Sequence, residues 1–122
     1  MRTQSTVIDS AHDIARKNPN DLVAVYSMKG DCAWASPSVE AVLGYSQEEM
    51  VGRNWSGLVA PEDHYNAGQV GIDAFLNGAS LEFRIQAMTK AGEVLPMRVT
   101  VRIQLDPGKK NQYLFFLAQA RR

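Results

Sequence analysis

The chain has 122 residues, with 13 Lys and Arg against 13 Asp and Glu, and is 45% hydrophobic and 21% charged. That is the size of one domain with a substantial core, and the balanced charge excludes a global attraction to nucleic acid or an anionic membrane. The opening MRTQSTVIDS has no apolar core, no run approaches the length of a membrane span, and the single Cys32 rules out an internal disulfide, so the sequence reads as one cytoplasmic domain over 1–122.

The first element is a helix over 5–18. Val7, Ile8, Ala11, Ile14 and Ala15 recur on one face, Asp9, His12, Asp13, Arg16 and Lys17 lie on the other, and Asn18-Pro19-Asn20 ends it. It is too short to persist alone in water and must dock its stripe, either on its own chain or on a second copy as a homodimer interface. Leu22 to Met28 reads as a strand, Lys29-Gly30-Asp31 as a turn, and Cys32 to Ala35 as a second, short strand.

From Trp34 to Asp63 the punctuation becomes dense. Ser36-Pro37 reads as an N-cap followed by a proline at the first helical position, and Gly44 as the stop. Ser46-Gln47-Glu48-Glu49 is a capping box, with Tyr45 and Met50 placed for a hydrophobic staple and Gly52 as the next stop. Pro61-Glu62-Asp63 opens a longer helix with carboxylates at its positive end. That helix runs to Leu76, with Tyr65, Gly68, Ile72, Phe75 and Leu76 as its expected buried stripe and Asn77-Gly78 as its end. Gly68 and Gly71 inside it each cost about 1 kcal/mol relative to alanine.

Three long strands follow. Leu81, Phe83, Ile85 and Ala87 alternate with Glu82, Arg84 and Gln86; Met97, Val99, Val101 and Ile103 alternate with Arg98, Thr100, Arg102 and Gln104. Alternation of this kind marks antiparallel strands with one dry and one wet face. Lys90-Ala91-Gly92-Glu93 and Asp106-Pro107-Gly108-Lys109 are the turns, and Pro96 belongs at a bulge or an unpaired edge position. The last strand, Gln112 to Ala120, is apolar on both faces, as is the first. Both are therefore central and covered on both sides. The fold class is α+β: a five-stranded antiparallel sheet with short helices on one face and the amphipathic N-terminal helix on the other.

LGYSQEEMVGRNW followed by VAPED carries a resemblance to the PAS family of the sensory-box type, over roughly residues 20–120. The resemblance implies the strand order 2-1-5-4-3 and a sensory or regulatory module of a signal-transduction protein, without catalysis of its own. PAS domains commonly run into an output helix of a histidine kinase or cyclic-nucleotide enzyme. This sequence stops about where that junction would begin, which is expected of an excised domain or a free-standing adaptor.

The candidate ligand site is a cavity lined by Trp55, Leu58, Phe75, Phe83, Ile85, Ala87, Met97, Val99, Val101 and Gln119. This apolar list suits a small apolar or aromatic ligand, or side chains that simply fill the core. None of the 13 carboxylates falls on the dry strand faces, which argues against an enzyme with a buried base. Two histidines and one cysteine are too few and too scattered for a zinc site, and no nucleotide-binding or hydrolase motif occurs. Lys109-Lys110 and Arg121-Arg122 read as solvated pairs rather than a nucleic-acid patch.

No cofactor is designated by these residues; the alternative to a ligand-sensing module is a haem- or flavin-bearing redox or gas sensor. Haem-binding PAS relatives carry a histidine further along the helix where His64 stands in the first turn, and His64 reads as exposed. Gly52-Arg53-Asn54 is similar to the flavin motif of the light-oxygen-voltage subfamily, but Trp55 stands where that subfamily has its photoreactive cysteine, which excludes an adduct. Ala87 and Met97 replace its flavin-binding asparagines, and Gln119 is expected to share the cavity with Leu117 and Phe115. Cys32 reads as a small core or edge residue and His12 as solvated.

Overall fold

The computed structural model describes residues 7–78, 80–106 and 113–121, and side chains except those of 105, 106 and 113–115. Residues 5 and 6 of the N-terminal helix, most of the Asp106–Lys109 turn, Lys110, Arg122 and the side chain of Phe115 lie outside the described set.

Period-two alternation and turn residues build the sheet. Its strands are β1 (Leu22–Ser27), β2 (Cys32–Ala35), β3 (Leu81–Met88), β4 (Val94–Asp106) and β5 (Tyr113–Arg121). All pairings are antiparallel and the order is β2-β1-β5-β4-β3, so the two strands apolar on both faces do lie inside the sheet. Pro96 sits opposite Gln86 on β3, where β5 has already ended on its other side, so its missing N–H leaves no ladder bond unmade. Around Gln86 the outer edge of β3 is covered by the chain itself. The Ala60 N–H donates to the Gln86 carbonyl at 2.8 Å, and the Gln86 N–H donates to Asp63 Oδ2 at 2.7 Å. Such covering removes an open pairing edge.

The outer face is closed by α1 (Val7–Lys17). Val7 and Ala11 are fully buried against Val23, Val25 and Leu117, with Ile8, Ile14, Ala15 and Trp34 packed around them. His12, exposed as expected, lies 4.6 Å from the Trp34 ring, and Gln104 Nε2 donates to Ser10 Oγ at 2.7 Å. The stripe Val7, Ile8, Ala11, Ile14 and Ala15, expected as a dimer interface, thus makes an intramolecular contact. Pairing two copies through it requires α1 to leave its own sheet or exchange.

The inner face is roofed by α2 (Val39–Leu43), α3 (Gln47–Met50), two 3-10 turns and α4 (His64–Asn77). Gly44, at φ 86°, ends α2 in the left-handed conformation. Ser36 is not the N-cap expected of it: α2 begins at Val39. The buried Ser36 hydroxyl instead accepts the Val23 N–H at 3.0 Å and meets Ser38 Oγ at 2.7 Å, and Ser38 donates to the Asp21 carbonyl at 2.8 Å. A hydroxyl beside an unpaired strand N–H at the end of a ladder satisfies that donor in preference to a helix end. The Ser46–Glu49 capping box is formed in both directions, at 3.1 and 2.9 Å, with half-buried Tyr45 and buried Met50 beside it in the core. Pro61–Asp63 forms a 3-10 turn before α4 rather than the helix's first turn.

Candidate functional site

Between the sheet and this roof lies a cavity of about 370 Å³. Its floor is Ala24 from β1, Ala118 and Ala120 from β5, and the dry faces of β3 and β4. Its roof is Leu43, Trp55, Leu58 and the Ala67, Gly68, Gly71, Ile72 and Phe75 face of α4. The vacancy has a simple origin: the central strands and the facing stretch of α4 both carry alanine or glycine, and nothing long enough crosses the gap. A Cβ on Gly68 would meet nothing within 4 Å, and one on Gly71 would only touch the Phe116 ring at 3.6 Å. These glycines therefore permit no close backbone contact; what they leave is volume.

Helix α4 departs from its expected stripe for the same reason. It stands off the sheet as one wall of a cavity, so Tyr65 and Leu76 are 75% and 70% exposed and Ala74 is the buried residue of the helix. Ile72 and Phe75 border the cavity while remaining half open to solvent.

Trp55, Leu58, Phe75, Phe83, Ile85, Ala87, Met97, Val99 and Val101 all border this space. Gln119 does not. Pairing of Leu22 with Ala120 and of Ala24 with Ala118 puts the even positions of β5 on the cavity side, and Val23 with Gln119 and Val25 with Leu117 puts the odd positions outside. Gln119 Nε2 donates to Asp21 Oδ2 at 2.7 Å there. Leu117 likewise lies under α1, not in the cavity. Sequence reasoning missed Phe116, Ala118 and Tyr26 among the lining residues, because a strand apolar on both faces shows no parity of its own, and Lys29, because a turn residue belongs to no periodic face.

The polar groups nearby have defined roles. His64 is half-buried rather than exposed. Its Nε2 lies 2.8 Å from the carbonyl oxygens of both Ser56 and Val59, so that nitrogen carries the proton and donates. Its ring meets the Trp55 ring edge-on at 5.6 Å. Trp55 in turn is seated on Gly30: a Cβ there would lie 2.6 Å from Trp55 Cδ1, and φ is 89°. Glycine is required at position 30 on both counts. Burial pushes the Cys32 thiol up to about 11, and its Sγ donates to the Trp34 carbonyl at 3.4 Å. Burial also raises the Tyr26 hydroxyl well above the usual tyrosine range.

These placements do not fit the cofactors of the alternative reading. Haem ligation through His64 Nε2 would break two hydrogen bonds to main-chain carbonyls. A flavin would meet apolar Ala87 and Met97, with Gln119 on the far side of the sheet. Among the described residues no carboxylate, histidine or cysteine borders the cavity, and no group of metal-ligating side chains occurs.

A family profile described as the PAS fold matches residues 33–115, more than half of the chain. The chain belongs to the PAS family. No curated protein matches this PAS domain significantly. Among solved structures, the PAS domain of a protein from Colwellia psychrerythraea is 21% identical with a TM-score of 0.77, covering 93% of this chain and 95% of that one. A PAS domain from a two-component sensor histidine kinase is 10% identical with a TM-score of 0.71, covering 93% and 94%. The N-terminal domain of a diguanylate cyclase with PAS/PAC sensor from Marinobacter aquaeolei is 16% identical with a TM-score of 0.66, covering 83% and 93%. Together these establish the PAS fold. Among the described residues no helix is long and apolar enough to cross a membrane.

Proposed function

We propose that this PAS domain is the cytoplasmic, ligand-sensing input of a signalling protein, that it binds a small apolar or aromatic molecule between α4 and the sheet, and that it does no catalysis. The observation that carries this reading is the cavity of about 370 Å³, within the range of ligand pockets and walled almost wholly by apolar side chains. Strand β5 offers the route outward. Ala118 and Ala120 face the cavity, while the adjoining Leu117 bears on α1, so a ligand that moves β5 changes the seat of α1 on the opposite face. The output is then the release of α1 toward a homodimer or a downstream element. The histidine-kinase and diguanylate-cyclase neighbours support such a parent protein.

The test is titration with a neutral, polarity-sensitive fluorophore such as 1-aminoanthracene, with hydrogen exchange read on α1 and α4. Saturable, blue-shifted emission with changed exchange in α1 supports the proposal. Absence of saturable binding overturns it.

A further inference from the structure

The polar side chains around the cavity share one character. Tyr26, Lys29 and Trp55 are the residues of its lining that carry polar side-chain atoms. The Lys29 ammonium and the Trp55 indole N–H have no acceptor capacity, and the Tyr26 phenol is kept in its donating form by burial. None of the three side chains has a hydrogen bond or ion pair within the described structure. The nearest carboxylate in sequence, Asp31, is engaged by Asn54 Nδ2 at 3.1 Å. The six carboxylates of the roof, Glu40, Glu48, Glu49, Glu62, Asp63 and Asp73, all lie off the cavity.

These donors also cluster. Tyr26 ends the cavity-facing run of β1 and pairs with Cys32, and Lys29 sits in the turn between them. That turn is clamped: Gly30 N–H donates to the Ser27 carbonyl at 2.8 Å, Trp55 N–H to the Gly30 carbonyl at 3.0 Å, and Asn54 Nδ2 to the Lys29 carbonyl at 3.2 Å. The Trp55 ring lies directly on Gly30. The rim at one end of an otherwise oily chamber thus carries an exposed lysine beside two further donor side chains, on a turn that is held in place.

We infer that the ligand is an amphipathic monocarboxylate, its linear or aromatic body against Ala24, Phe83, Met97 and Ala118 and its carboxylate at the end formed by Tyr26, Lys29 and Trp55. This deepens the ligand-site reading above and rests on it. A neutral hydrocarbon leaves the three donors without acceptors, and a cation meets the Lys29 charge; a carboxylate accepts from all three.

The experiment displaces bound 1-aminoanthracene at low salt with two shape-matched pairs, decanoate against decanamide and indole-3-acetate against indole-3-acetamide. In at least one pair the acid should compete about tenfold better than its amide, a preference that added salt reduces. Lys29→Met should bring the acid-to-amide ratio close to one, and Tyr26→Phe should lower it. Lys17→Met, on α1, should leave it as it is. Fluorophore binding with acids no better than amides in both pairs overturns the inference while leaving the cavity reading standing. So does an unchanged ratio in both Lys29→Met and Tyr26→Phe. Failure of the fluorophore and of all four competitors to bind overturns both.

Discussion

Val23 and Ser36 hold each other through two hydrogen bonds. The Val23 N–H donates to Ser36 Oγ at 3.0 Å and the Ser36 N–H donates to the Val23 carbonyl at 2.8 Å. The pair extends the β1–β2 ladder by one rung at the point where the chain turns off the sheet to begin the roof. Ser36 is almost fully buried, so its hydroxyl has no competing solvent. Removing it strands a strand N–H in the interior. Ser36→Ala should therefore destabilise the domain by about 1–3 kcal/mol, seen as a lower urea midpoint at unchanged slope. A midpoint equal to wild type would mean the Val23 N–H finds another acceptor.

The capping box sets a second expectation. Ser46→Ala should cost about 1 kcal/mol through the lost acceptor for the Glu49 N–H. Its partner makes the effect pH-dependent. Lys90, donating to Glu49 Oε2 at 2.6 Å, and then the Ser46 N–H lower the Glu49 pKa. A carboxyl lowered on folding stabilises the protein above its unfolded pKa, and that contribution is lost as pH falls toward the folded value. The gap in urea midpoint between wild type and Glu49→Gln should thus be present at neutral pH, close below the ordinary glutamate range, and shrink with added salt. A gap independent of pH would sink this account.

Cys32 should be inert while the domain is folded. Burial holds its thiol near 11, so the reactive thiolate is scarce at neutral pH. The sign of the linkage follows: a thiol raised on folding stabilises the protein below its unfolded pKa, and this is lost as pH climbs toward about 11. An aromatic disulfide reagent should label Cys32 only as fast as the protein opens. Rapid labelling of native protein at neutral pH would show the β2 edge to be loose.

Where residues alternate, the sequence revealed the fold. Phe83, Ile85, Met97, Val99 and Val101 show their face directly, and the cap at Ser46 and the stop at Gly44 mark their own helices. Where a strand is apolar on both sides, parity was invisible. The sequence alone leads one to expect Gln119 and Leu117 in the cavity, whereas the pairing of Ala24 with Ala118 puts both outside. Helix α4 failed for another reason. Its apolar residues follow helical periodicity, but periodicity assumes a surface to pack on, and here the surface is replaced by a hollow. Ser36 read as a cap because Ser-Pro is a helix-start pattern, and only the sheet partner reveals the competing donor.

The docking of α1 is testable through Ile14, partly buried against the outer cluster. Ile14→Asp puts a charge on the stripe and should destabilise the domain on the order of 1–3 kcal/mol while increasing exchange across α1. Light scattering then separates the two uses of the stripe. An unchanged mass accompanies loss of an intramolecular contact, whereas a halved mass shows that α1 joins two copies.

The cavity makes the last prediction, because its emptiness comes from small residues at known positions. Ala118, on the central strand, lies on its floor opposite the glycines of α4. A leucine there has room to extend into the space without displacing packed neighbours. Ala118→Leu should therefore stabilise the domain by about 0.5–2 kcal/mol, as cavity filling commonly does. It should also abolish saturable binding of 1-aminoanthracene. A tightly filled core would respond in the opposite direction, since added methylenes force strain costing about 1–3 kcal/mol. The sign of the change in urea midpoint thus decides between a chamber and a packed interior, and the fluorescence titration shows whether that chamber is the one a ligand occupies.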